Sequence, residues 1–192
     1  MDHFYQHLEG WFTFPGLYSH VVNTCPTNSH FVEVGAFLGK SASFMAVEII
    51  NSGKPIKFDC VDTWQGSIEH GLTTEEQHKW LYNKFLQNIE PVKNVINPIK
   101  AFSVDAAKQY TDNSLDFVFI DAGHEYEDVK ADLEAWYPKV KQGGIIAGHD
   151  YFDPADPEHG HKFPGVKRAV DEFFSGNVSC SNVEYSWFKY KI

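Results

Sequence analysis

Five short apolar runs, with a helical pattern between each successive pair, constrain this chain more than any other feature. The runs are Phe31 to Val34, Ile56 to Val61, Val95 to Ile99, Leu115 to Ile120 and Gly144 to Ala147, rich in β-branched or aromatic residues. Helical patterns fill Lys40 to Asn51, Thr74 to Ile89, Val104 to Tyr110 and Tyr126 to Val140. In the last of these, Val129, Leu133, Trp136 and Val140 recur at helical spacing, an apolar stripe suited to packing on a sheet. Strands alternating with helices predict an α/β fold with a doubly wound, mostly parallel sheet, whose ligands bind beyond the carboxyl ends of the strands. The 192 residues, 43% of them hydrophobic, suit one domain over residues 1–192, with no repeat and no linker.

The residues that close each strand are therefore the candidate site. FVEVGAFLGKS, Phe31 to Ser41, is not a phosphate loop, because only Ala36, Phe37 and Leu38 separate Gly35 from Gly39. Nor is it a dinucleotide fingerprint, since Phe37 fills the position where a second glycine lets pyrophosphate approach. What remains is an acid near a strand end, Glu33, and a glycine turn entering a helix of small residues at Ser41. Such a site suits a cationic or zwitterionic ligand, with helix-start N–H groups for its carboxylate. Lys40 is expected to face solvent. Asp62, followed by Thr63 and Trp64, closes the second run, where a carboxylate can accept both hydroxyls of a ribose. Phe102, Ser103 and Asp105 follow the third run, where an adenine edge would lie in such a fold. Asp121 closes the fourth run, and His149 with Asp150 closes the fifth.

A net charge of −10 disfavours a phosphate-backbone footprint and hence nucleic acid as partner. Cys25, Cys60 and Cys180 are odd in number and widely spaced, which suggests neither a disulfide framework nor a zinc knuckle. No segment approaches the length of apolar sequence that spans a membrane. The reading is a soluble, cytoplasmic protein with a small-molecule ligand.

Glu33-x-Gly35-x-x-x-Gly39 resembles the first motif of class I S-adenosylmethionine (SAM) methyltransferases. The segment from Ser114 to Tyr151, together with CVDTW (Cys60 to Trp64) and FPGVKRAVDEFF (Phe163 to Phe174), closely resembles the methyltransferase-24 type of that class, which includes bacterial sugar O-methyltransferases. The resemblance implies a Rossmann-like, seven-stranded sheet with its last strand pair around Val183 to Tyr190. It implies SAM as cofactor, held by Glu33, Gly35, Ala36, Phe37, Gly39 and Ser41 in the first turn. Asp62, Thr63, Trp64, Phe102, Ser103 and Asp121 would complete that site. The acceptor would be a hydroxylated small molecule such as a sugar or glycan.

Some members of the family bind a divalent metal, magnesium, manganese or similar, at positions that match Asp121, His149 and Asp150. His149 departs from the usual acid and leaves the metal open. Relatives with Asp-x-Asp after the fourth strand use its second acid as base, but Gly123 stands there. His124 is the nearest substitute and His149 the competing base, with Asp121 beside them.

The proline- and glycine-rich stretch Asp153 to Gly165 reads as a loop over the site. His70, His78, His159 and His161 lack ligand spacing. Trp11, Phe12, Phe14 and Tyr18 suit an acceptor pocket, a homodimer contact or plain core packing. Two other functions fit the same topology: an NAD(P)-dependent oxidoreductase of Rossmann type, and a non-catalytic SAM-binding or assembly module.

Overall fold

Alternation within each strand sets the layers of the molecule. In β1 (His30–Val34) Phe31 points to one face of the sheet while Val32 and Val34 point to the other, and β4 (Leu115–Ile120) repeats this with Phe117 and Phe119 against Val118 and Ile120. Both faces are thus apolar, as a parallel sheet covered on two sides requires. The computed structural model describes residues 1–66 and 71–192, so His70 lies outside the described residues.

The other strands are β2 (Lys57–Asp62), β3 (Ile96–Lys100), β5 (Val140–Gly148), β6 (Ser179–Ser181) and β7 (Ser186–Tyr190). They form a seven-stranded sheet in the order β3-β2-β1-β4-β5-β7-β6. The pairs β1–β2, β2–β3, β1–β4 and β4–β5 are parallel, whereas β7 runs antiparallel to both β5 and β6. Helices α1 (Pro15–Thr24), α2 (Lys40–Ser52) and α3 (Glu75–Asn88) belong to the aromatic-rich layer. Helices α4 (Ser103–Ala107), α5 (Tyr126–Trp136) and α6 (Pro164–Phe174) cover the opposite face. The strand order reverses between β1 and β4, the position at whose carboxyl ends sheets of this kind bind ligands.

Local chemistry explains the element ends. Thr74 and Gln77 form a capping box at the start of α3, and Gly53 closes α2 in the left-handed region. α5 is shorter than its pattern predicted. Pro138 cannot continue a helix, so the chain passes through a 3-10 turn at Tyr137–Lys139, and Val140 joins the core as the first residue of β5. The terminal strand pair likewise starts earlier than expected: Val183 lies in the hairpin turn and is 86% exposed. No described helix is long and apolar enough to cross a membrane.

Candidate active site

The turn after β1 is built on close backbone approach. Gly35 has φ +93°, and a Cβ there would lie 1.9 Å from the carbonyl oxygen of Asp121, so this position admits only glycine. The approach is fixed by Gly35 N–H donating to Val61 O and Asp121 N–H donating to Val34 O, each at 2.8 Å. Ala36 is buried, and its carbonyl accepts from Gly39 N–H at 2.7 Å as the chain turns into α2. Lys40 does not face solvent as expected. It is half-buried, and its Nζ donates to Gly10 O at 3.0 Å, tying the N-terminal segment to the turn.

Asp62 joins two turns. One carboxylate oxygen accepts from Phe37 N–H at 2.8 Å, the other from Trp64 N–H at 2.7 Å. Both donors are held at positive φ, +43° and +50°, which side chains rarely adopt. Trp64 is fully buried, and its indole N–H donates to Phe37 O at 3.0 Å, so the bulky Phe37 is part of a braced turn. Thr63 stays local, its hydroxyl accepting from Gln65 N–H.

Glu33 is 1% exposed. The Ser41 hydroxyl donates to one of its oxygens, while the other, like the buried Tyr18 hydroxyl, has no hydrogen-bond partner. Burial, with the neighbouring charges of Asp121 and Asp62, pushes its carboxyl up to about 8. A buried acid with an orphaned oxygen beside a glycine turn fits the cationic end of a zwitterionic ligand.

Asp121, His124 and Asp150 offer ligand atoms that all lie within 4.8 Å of one another. His124 Nε2 stands 3.0 Å from one Asp150 oxygen and 4.0 Å from Asp121. His149 Nδ1 lies 3.2 Å from the other Asp150 oxygen and 3.8 Å from Asp121. Its Nε2 is 2.8 Å from the Thr13 hydroxyl, whose single proton goes to Glu184 O at 3.0 Å. With the Thr13 proton on Glu184 O, the imidazole donates through Nε2, and in its protonated form it donates through Nδ1 to Asp150 as well. His149 approaches the cluster but stands outside the converging trio. Two oxygens and one nitrogen fit a divalent cation of the manganese, iron or zinc kind.

The acids of this cluster diverge. Burial raises Asp121 to about 6 against the pull of His149 and His124. Burial acts on Asp150 in the same direction, but hydrogen bonds from His124 and His149 outweigh it and hold the carboxyl well below the usual range. His149 is raised, because its bond to Asp150 and the charge of Asp121 overcome burial. A base oriented by an acid of fixed charge is the arrangement proton abstraction requires.

The adenine candidates separate. Phe102 is 62% exposed, and Asp105 pairs with Lys108 at 2.7 Å on the surface. Ser103 turns instead toward α5, where its hydroxyl meets Asp132 and Trp136 Nε1. Sequence reading missed Asp132 and Thr13; an acid inside the apolar stripe of α5 was the available signal for the first, and nothing local marks the second.

Among the N-terminal aromatics, Phe14 and Tyr18 are core, Phe12 packs against it, and Trp11 is 75% exposed and stacks on Phe37 at 6.1 Å. The loop from Asp153 reaches the site through Phe163, stacked on the His124 ring at 4.1 Å. His159 of that loop packs on Phe152 and Tyr185, His161 is exposed, and His78 lies near Leu72 O.

Sheet order, glycine turn and strand-end acids together define a methyltransferase fold of class I. A family described as a methyltransferase domain matches residues 32–151, and the chain belongs to it. The protein y4gI of Sinorhizobium fredii, described as uncharacterized, is 28% identical over 119 residues, 62% of this chain; the chain spans 13% of that relative's length. The O-methyltransferase NovP shares 18% identity at a TM-score of 0.66, over 92% of this chain and 78% of its own. TomG from Streptomyces achromogenes, an O-methyltransferase involved in tomaymycin synthesis and solved with SAM, shares 13% at a TM-score of 0.60, over 92% and 80%. CalS11, a TDP-rhamnose 3'-O-methyltransferase, shares 14% at 0.59, over 92% and 77%.

Proposed function

We propose that this chain is a SAM-dependent O-methyltransferase that acts on a hydroxyl of a small molecule, a sugar or glycan in the first instance. The observation that carries the reading is the His124–Asp150 pair, 3.0 Å apart, at the same strand edge as the Glu33–Gly35 turn. NovP, TomG and CalS11 are O-methyltransferases, and the description of CalS11 states a sugar nucleotide as its substrate.

When bound, SAM supplies an electrophilic methyl group on a sulfonium. Glu33 and Ser41 complement its methionyl end, and Asp62 its ribose, while Phe37 and Trp64 keep the two turns together. His124 takes the proton of the acceptor hydroxyl, and Asp150 stabilises the imidazolium that forms, as an orienting acid does in other base dyads. SAM held by these residues would supply its methyl group to the acceptor oxygen, with S-adenosylhomocysteine as the leaving group and the acceptor's proton held on His124. Positioning nucleophile and methyl in line is the main source of acceleration.

A second reading is favoured by the convergence of Asp121, His124 and Asp150. These residues would hold a divalent cation, which would stabilise the alkoxide as it forms. A transfer assay with methyl-labelled SAM and a panel of glycosides tests the function. The expected product carries the label as an alkali-stable ether. Label found on nitrogen or as an ester would contradict the assignment, and cofactor binding without turnover would favour a binding module.

A further inference from the structure

His124 meets Asp150 through one ring atom, and a single contact does not fix the plane of a ring. The second torsion of a histidine side chain is broad, so an imidazole bonded at one nitrogen can still rock about that bond. Here a second group sets the plane. The Phe163 ring lies against the imidazole with 4.1 Å between centres and 29° between planes, while His124 Nε2 stands 3.0 Å from Asp150. The acid restrains the edge of the imidazole and Phe163 its face.

Phe163 holds this place against its own backbone preferences. It sits at φ +45° and ψ +49°, in the left-handed region, and precedes Pro164, whose ring disfavours helical conformations in the residue before it. It is also the residue that begins α6, where serine, threonine or aspartate would cap the helix, and its side chain makes no cap bond. A bulky residue in that region persists only where its surroundings over-determine it, and such positions cluster at functional sites. Those surroundings belong to the base. A Cβ on Gly165 would lie 2.5 Å from Tyr126 N, 2.8 Å from His124 O and 3.0 Å from Glu125 C, so the first turn of α6 rests backbone to backbone on the segment that carries His124. Phe163 also meets Phe152 at 6.3 Å, which packs in turn on Tyr185 at 4.9 Å.

We propose that Phe163 is a positioning residue, which fixes the plane of His124 against Asp150 and so sets the base for the acceptor hydroxyl. This rests on the reading of His124 as that base. The loop from Asp153 to Gly165 thereby acts on proton abstraction through a side chain that carries no proton of its own to exchange.

Nuclear magnetic resonance of the full chain, with its histidines labelled in ¹⁵N and His124→Gln to assign the signals, reads the ring at one fixed pH without any acceptor. Phe163→Leu keeps the apolar bulk and removes the flat face, whereas Phe163→Tyr keeps the face. The leucine variant is expected to move the His124 nitrogen signals toward those of Asp150→Ala, and the tyrosine variant to leave them in place. In transfer from labelled SAM to the glycoside panel, Phe163→Leu should lower kcat roughly ten- to a hundredfold with KM for SAM within about twofold, and Phe163→Tyr should restore kcat to within about threefold. If the nitrogen signals of Phe163→Leu match those of the unsubstituted chain, or if they move and kcat does not, the proposal is overturned while the function stands. If the unsubstituted chain methylates no glycoside, the sugar reading falls, and the nitrogen signals alone decide whether Phe163 orients the ring. Should Phe163→Leu not fold, Phe163→Met takes its place.

Discussion

Replacing Gly35 with alanine would put a methyl group 1.9 Å from the carbonyl oxygen of Asp121, 2.5 Å from its carbonyl carbon and 2.9 Å from Cα of Ala122. All three are backbone atoms, so no side-chain rotation relieves the contact. The residue would also have to hold φ +93°, outside the range an L side chain tolerates, which adds about 1–2 kcal/mol. Gly53 separates the two effects: it sits at φ +67° with nothing within 4 Å of a Cβ. Gly53→Ala should therefore cost about 1 kcal/mol, and Gly35→Ala roughly 3 kcal/mol or more once β1 and β4 are forced apart. For a chain of this size those figures correspond to Tm losses of about 2–4 °C and about 6–12 °C. Thermal unfolding by circular dichroism reads both directly. Equal losses for the two variants would refute the close approach between the ends of β1 and β4, on which the geometry of the Glu33–Gly35 turn depends.

Asp62→Ala leaves the N–H groups of Phe37 and Trp64 without their acceptor and should cost about 1–3 kcal/mol of stability as well as cofactor affinity, read by denaturant melts and calorimetry. Glu33 titrates at about 8 when folded against 4.5 ordinarily, so the folded chain binds the extra proton and stability falls as pH rises from about 5 to 8. Glu33→Gln should flatten that part of the profile, and an unchanged slope would show that the acid is solvated. Asp150→Ala removes one member of the donor trio and should weaken manganese binding at least tenfold, measured by electron paramagnetic resonance; equal uptake by both proteins would discard the metal reading.

Strand positions were legible because parallel strands buried on both faces read as continuous apolar runs; Leu115 to Ile120 was predicted to the residue. Where the pattern failed, backbone chemistry overrode it, as when Pro138 ended α5 and passed Val140 to the next strand. The strand-end rule brought Asp62, Asp121, His149 and Asp150 to one edge from sequence alone. It could not say which His149 nitrogen faces the acids, because the other is held by Thr13, more than a hundred residues away in the chain. Lys40 was misread for the same reason: Gly10 O, its partner, comes from another part of the chain. Ser103 was singled out for its place after β3, but its orientation depends on Asp132 and Trp136, two residues of the following helix.

On the proposed function, the Glu33–Gly35 turn and Asp62 hold an S-adenosyl group. Titration of the purified chain with S-adenosylhomocysteine in a calorimeter tests it most directly. Saturable binding at one site per chain, lost or strongly weakened in Asp62→Ala, is the predicted result. Absence of binding to both S-adenosylhomocysteine and SAM by the folded protein would contradict that assignment.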